Sequence, residues 1–209
     1  MKLITETSLD VESLIENTTE GRKYKIEGRF ACGDMKNANG RIYESKILHP
    51  AMSSYVNEKV SKGQGYGEMN HPSTPQVNFE RVVMVIESLT KDGSHWNGIG
   101  NIINEGLGKI VTAIMDAGGK VGVSTRALGT LSERSGIKYV NSDLRFSAID
   151  VVSDPSVPGC FVKGIMESTS YEMLEDGTVI ELAVDYTKKK LDEAKAIKVF
   201  SDLMIKFGK

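Results

Sequence analysis

Apolar and polar residues alternate through KYKIEGRFACG (23–33), the period-two pattern of a half-buried strand, before DMKNANGR supplies turn residues. Over ILHPAMSSYVNEKVSKG (47–63) the period changes. Ile47, Met52, Tyr55, Val56 and Val60 recur at helical spacing, with a stop near Gly63. A Gly- and Pro-rich stretch, GQGYGEMNHPSTPQ, separates this helix from NFERVVMVIESLT and HWNGIGNII. Those two apolar runs are joined by KDGS, and the Asp92-Gly93 pair predicts a hairpin. EGLGKIVTAIMDAGG then places Leu107, Ile110, Val111, Ile114 and Met115 on one helical stripe and closes on a glycine pair. KVGVSTRALGTL reads as a strand or strand-turn. The following SERSGIKYVNSDLRFSAIDVVSDPSVPG gives two more strands, the second closed by Pro155 and Pro158, and CFVKGIM gives a last one.

The two ends differ in texture. Residues 1–20 are acidic, with Leu9, Val11, Leu14 and Ile15 at loosely helical spacing, and read as a leader. Past Ser168 the composition shifts again, and Leu191, Ala194, Ile197, Val199, Phe200, Leu203 and Met204 form an amphipathic helical stripe. The expected organisation is a leader (1–20), a body (21–168) and a helical tail (169–209). The body is expected to be an α+β fold, a small and mostly antiparallel β-barrel surrounded by helices.

Composition narrows the function. A chain of 209 residues favours one main core. Lys+Arg 26 against Asp+Glu 28 gives a net charge of −2, so no basic excess offers nucleic acid an electrostatic footprint. Hydrophobic residues at 40% and charged residues at 26% are globular values. No run approaches the roughly 18 apolar residues of a membrane span, and MKLITETSLDVESLIEN is no signal-peptide core, so a soluble, cytoplasmically made protein is expected. Cys32 and Cys160 lie far apart without a Cys-x-x-Cys pair. They encode neither a disulfide framework nor a sulfur-rich zinc site, and read as packing residues.

Only three histidines are present. His49, before Pro50 at a predicted helix start, and His95, beside Trp96 after a hairpin, are explained by structure or solvation. His71 lies in GEMNHPST, where Pro72 biases the preceding backbone toward extended geometry and holds an imidazole at a strand edge. Ser124 stands in a core-like strand, VGVSTRALG. Glycines at 122 and 129 let a substrate backbone come close, and Arg126, with Thr125 beside it, is a candidate donor near a developing oxyanion. Asp150, among Ala148, Ile149, Val151 and Val152, is expensive to bury unpaired and suits the acid that orients a histidine. Each has a bland alternative: a strand serine bonded to a carbonyl, an outward-facing aspartate, a solvated loop histidine. Glu68 and Asp154 compete with Asp150 for the acid's place.

Four blocks in order, NANGRIYE (37–44), GEMNHPS (67–73), GVSTRALG (122–129) and AIDVVSDPSVPGCFV (148–162), resemble the prohead core proteases of T-even-like tailed bacteriophages, distantly related to the herpesvirus assemblin fold. The resemblance spans roughly residues 21–168 and implies an assemblin-like serine endopeptidase. His71 would be the general base, Ser124 the nucleophile and Asp150 the orienting acid, with no metal or cofactor. It implies cleavage after Glu in a Leu/Ile-x-Glu context and a basic pocket residue for that Glu. Its partners would be scaffold, core and capsid proteins inside the assembling prohead in the host cytoplasm, without nucleic acid or membrane, and a homo-oligomer is expected. The chain itself carries Ile4-Thr5-Glu6, Leu14-Ile15-Glu16 and Ile165-Met166-Glu167 near the composition boundaries, and the expectation is a zymogen trimming itself near Glu16 or Glu167. The competing readings are a non-enzymatic scaffold or core protein docking through its tail, and a cysteine hydrolase using Cys32 or Cys160.

Overall fold

The computed structural model describes residues 1–8, 11–18, 21–37, 39–153, 170–173 and 179–182. Their elements run β1 (Lys2–Ser8), β2 (Val11–Thr18), β3 (Gly21–Cys32), β4 (Arg41–Ile42), α1 (Ser45–Glu58) and β5 (Tyr66–Glu68). Then come β6 (Val82–Asp92), β7 (His95–Ile102), α2 (Gly108–Asp116), β8 (Val121–Gly129), β9 (Leu131–Arg134), β10 (Ile137–Val140), β11 (Arg145–Ser153), β12 (Ser170–Met173) and β13 (Val179–Leu182). The strands form two five-stranded sheets, ordered β11-β8-β1-β12-β13 and β2-β3-β7-β6-β5, and a three-stranded sheet β4-β10-β9.

Local chemistry accounts for most of these elements. The Asp92-Gly93 turn, with Gly93 at φ 56°, joins β6 to β7 as the hairpin signal requires. Helix α1 buries Leu48, Met52 and Tyr55, and after a short 3-10 turn the chain leaves through Gly63 in the left-handed region (φ 69°). Helix α2 buries Val111 and Met115, while Ile110 and Ile114 of its expected apolar stripe face solvent. One core fills the space between the large sheets. Ile26, Phe30, Met84, Ile86 and Trp96 come from one, Val123, Ile149 and Val151 from the other, with Leu48 and Met52 of α1.

The barrel surrounded by helices is not what forms. The structure is mostly β-sheet, with two α-helices and no closed barrel among the described residues. Among the described residues, a parallel bridge, Met69 to Val151, links the end of β5 in one large sheet to β11 in the other. Alternation specifies strands with one buried face but carries no information about closure, which depends on pairing between strands remote in sequence. Residues 1–20, expected as a leader with helical character, contribute a strand to each large sheet: β1 pairs with β8 and β2 with β3. The expected strand CFVKGIM and the helical stripe of the tail lie outside the described residues.

Candidate active site

The site is built on two neighbouring strands. β8 and β11 pair antiparallel with Asp150 directly opposite Ser124, so both side chains project from the same face of the sheet. Both residues are fully buried. The third participant arrives from the other sheet. A Cβ on Gly67 would stand 2.2 Å from the Ile149 carbonyl oxygen, so only glycine lets β5 lie this close to β11. The Asn70 N–H then donates to the Val151 carbonyl at 2.8 Å, and Asn70 itself takes a left-handed conformation (φ 58°). That turn delivers His71 over the row formed by Ser124 and Asp150. His71 Nδ1 lies 2.9 Å from Asp150 Oδ2, and the Ser124 hydroxyl is hydrogen-bonded to His71 Nε2. With Nδ1–H donating to the carboxylate, Nε2 is left as the acceptor of the hydroxyl proton.

The carboxylate is itself held from three directions. Asp150 Oδ1 accepts from the Glu68 N–H at 3.0 Å and from Arg126 Nη2 at 3.1 Å, while Arg126 Nε stands 3.1 Å from Oδ2. The same guanidinium donates to Glu68 Oε1 at 2.8 Å and to the carbonyls of Thr74 (2.7 Å) and Gln76 (3.2 Å). Glu68 also accepts from the Asn78 N–H at 3.0 Å, and its second oxygen lies 3.4 Å from Arg81 Nε. Arg81 ties back to the Met69 carbonyl at 2.7 Å. Arg126, Glu68 and Asp150 are each 0% exposed. Charges out of water persist only when paired and hydrogen-bonded, and here one guanidinium faces two carboxylates with a second arginine at the edge. Nearby, the buried Tyr55 hydroxyl has no hydrogen-bond partner among the described residues, and burial, reinforced by the charge of Asp150, pushes its ionisation above the ordinary tyrosine range.

Three of the sequence-predicted residues, His71, Ser124 and Asp150, are thus brought into one hydrogen-bonded row. Arg126 is adjacent, but its donors are turned to Asp150, Glu68 and two loop carbonyls and not to Ser124, where a donor to an oxyanion was expected. Thr125 is buried, and alternation along β8 points its side chain to the opposite face from Ser124. Glu68, the alternative acid, contacts arginines and a backbone amide and not the imidazole. Asp154 and Cys160 lie outside the described residues. Cys32 sits in the other large sheet, in register with His95, and His49 accepts a hydrogen bond from Trp96 Nε1 at 3.0 Å. The clasp of Glu68 and Arg126 is what sequence reasoning missed. A glutamate three residues before the candidate histidine and an arginine two after the candidate serine, both in apolar strands, were the available signals.

A serine hydroxyl bonded to an imidazole whose other nitrogen faces a buried carboxylate is the arrangement of a serine hydrolase. Comparison with known proteins specifies which. The profile of the family described as prohead core protein serine protease matches residues 6–170. The chain is 35% identical over 153 residues to the prohead core protein protease of Enterobacteria phage T4, covering 70% of this chain and 72% of that protein. The solved structure of the bacteriophage T4 capsid assembly protease superposes with a TM-score of 0.69 at 29% identity, covering 73% of this chain and 98% of the other. The chain belongs to the prohead core protein serine protease family, and is a serine-type protease of phage head maturation.

Proposed function

We propose that Ser124 is the nucleophile, His71 the general base and acid, and Asp150 the group that orients the imidazole. The observation carrying this is the continuous hydrogen-bonded row from Ser124 through His71 to Asp150. Ser124 Oγ attacks the scissile carbonyl while its proton passes to His71 Nε2, and the imidazolium formed is stabilised by Asp150. Collapse of the tetrahedral intermediate breaks the C–N bond as Nε2 returns the proton to the leaving amine. Water, deprotonated by the same nitrogen, then hydrolyses the acyl-enzyme ester. Arg126 serves as a positioning residue: it fixes the carboxylate that fixes the histidine.

The substrates in this reading are scaffold, core and capsid proteins inside the prohead, cut after Glu in a Leu/Ile-x-Glu context, and the chain also processes itself. Glu16 is paired with Lys23 within the β2–β3 ladder, so cleavage after it requires that strand pair to open first. Glu167 lies outside the described residues. Two measurements test the reading. A fluorogenic peptide with Ile-x-Glu should be cleaved and its Gln counterpart spared. Intact-mass spectrometry should find shortened termini in the active chain and not in Ser124→Ala. Cleavage of both peptides alike removes the specificity, and identical termini remove the self-processing.

A further inference from the structure

Strand β8 has two edges. β11 holds one, and β1 holds the other, running antiparallel with Ile4 in register with Ala127, Glu6 with Thr125 and Thr7 with Ser124. The bond between Glu6 and Thr7 thus lies at the Ser124 position of the ladder. Three features grip β1. Its backbone is paired to β8 along its whole length. Leu3 and Ile4 are 3% and 1% exposed, and Ile4 packs where Gly129 has no Cβ, a position 3.2 Å from Ile4 Cδ1. The Thr5 carbonyl accepts from Arg41 Nη1 and Asn39 Nδ2, both at 3.3 Å. Asn37 Oδ1 in turn accepts from the N–H groups of Asn39 (3.0 Å) and Arg41 (2.9 Å). On its far edge β1 meets β12 at Lys2 alone among the described residues. Backbone pairing, buried apolar side chains at Leu3 and Ile4, and one carbonyl clamp are the recognition elements of a peptide added to a sheet edge.

We propose that the lane beside β8 is where the enzyme holds the peptide it cuts, and that residues 2–8 occupy this lane in cis. The proposal rests on Ser124 being the nucleophile. A ladder has room for one strand per edge, at a spacing of about 4.8 Å. An incoming peptide therefore displaces β1. The ligand it fits is an extended peptide with an aliphatic side chain at the Ile4 position and Glu two residues further on, as in β1 itself. Occupation by β1 lowers the competent fraction and raises the apparent KM without altering the chemistry.

The test uses the full chain with Ile4→Asp, which places a charge in the apolar site, and Ile4→Ala as the milder variant should Ile4→Asp lose cooperative melting. The probe is a fluorogenic peptide spanning Lys2–Ser8. A small fluorophosphonate, which needs no lane, reports Ser124 separately. The expected result is a gain in kcat/KM of at least about tenfold for Ile4→Asp and about threefold for Ile4→Ala, carried by KM, at unchanged fluorophosphonate reactivity. Folded variants with unchanged or lower kcat/KM and unchanged fluorophosphonate reactivity overturn the lane while leaving the nucleophile standing. Failure of the fluorophosphonate to label the parent chain removes the nucleophile, and the lane with it.

Discussion

Strands β7 and β8 are both central members of five-stranded sheets, yet they handle polar residues differently. β7 buries Trp96, Gly98, Gly100 and Ile102 at alternate positions and leaves the positions between them partly or fully exposed. β8 buries all nine of its residues, including Ser124, Thr125 and Arg126. A strand like β7 is explained by the hydrophobic effect acting on one face. In β8 every polar group must find a partner within the protein, and the partners of Ser124 and Arg126 are His71, Asp150 and Glu68. Replacing such charges by apolar groups is often neutral or stabilising, so their presence points to a requirement other than stability.

The largest effect expected from this contrast is on activity. Asp150→Asn keeps the shape of the side chain but favours the wrong imidazole tautomer, and kcat on an Ile-x-Glu peptide should fall about 10⁴-fold with little loss of fold. A fall below tenfold would place the orienting acid elsewhere.

Next comes stability. Arg126→Met leaves Glu68 and Asp150 buried without their shared cation and should cost about 3–5 kcal/mol in urea unfolding. Adding Glu68→Gln to that variant should recover part of the loss, because one uncompensated charge is gone. By comparison, Ile86→Val in the purely apolar region of the core should cost only about 0.5–1.5 kcal/mol and leave kcat unchanged. If Arg126→Met were as mild as Ile86→Val, the two regions would not differ in the way described.

The smallest effect is a pH response in the apolar region. Burial holds the His49 imidazole below its ordinary pKa, and its Nδ1 accepts from Trp96. The folded state therefore resists a proton that the unfolded chain accepts. The His49 contribution is complete above about pH 6.5 and is lost as pH falls from there through the lowered folded value. The chain has a single tryptophan, so its fluorescence reports this step, and His49→Gln should remove the transition.

Much of this was legible in the sequence, for local reasons. The hairpin at Asp92-Gly93, and the left-handed exit at Gly63 from the 3-10 turn that follows α1, follow from backbone chemistry within a few residues. His71, Ser124 and Asp150 stood out because each is chemically odd for its surroundings: the imidazole in a Pro-bounded loop, the hydroxyl and carboxylate in apolar strands. What was not legible depends on distant pairing. Leu9, Val11, Leu14 and Ile15 fit a loose helix as well as a strand, and nothing nearby announces that Lys2–Ser8 pairs with residues more than a hundred positions on. Arg126 next to Ser124 suggested an oxyanion donor, yet alternation along the strand and the arrival of Glu68, through the glycine at 67, turn it toward the acid. Openness of the sheets was equally hidden, since it is decided by which edges meet.

If His71, held by Asp150, activates Ser124, a serine-directed reagent should depend on that histidine. The most direct test is to treat the chain and its His71→Ala variant with a fluorophosphonate and map the adduct by peptide mass spectrometry. A single adduct on Ser124, lost in His71→Ala, is expected. An adduct on another residue, or labelling of Ser124 that is indifferent to His71, would overturn the assignment of Ser124 and His71.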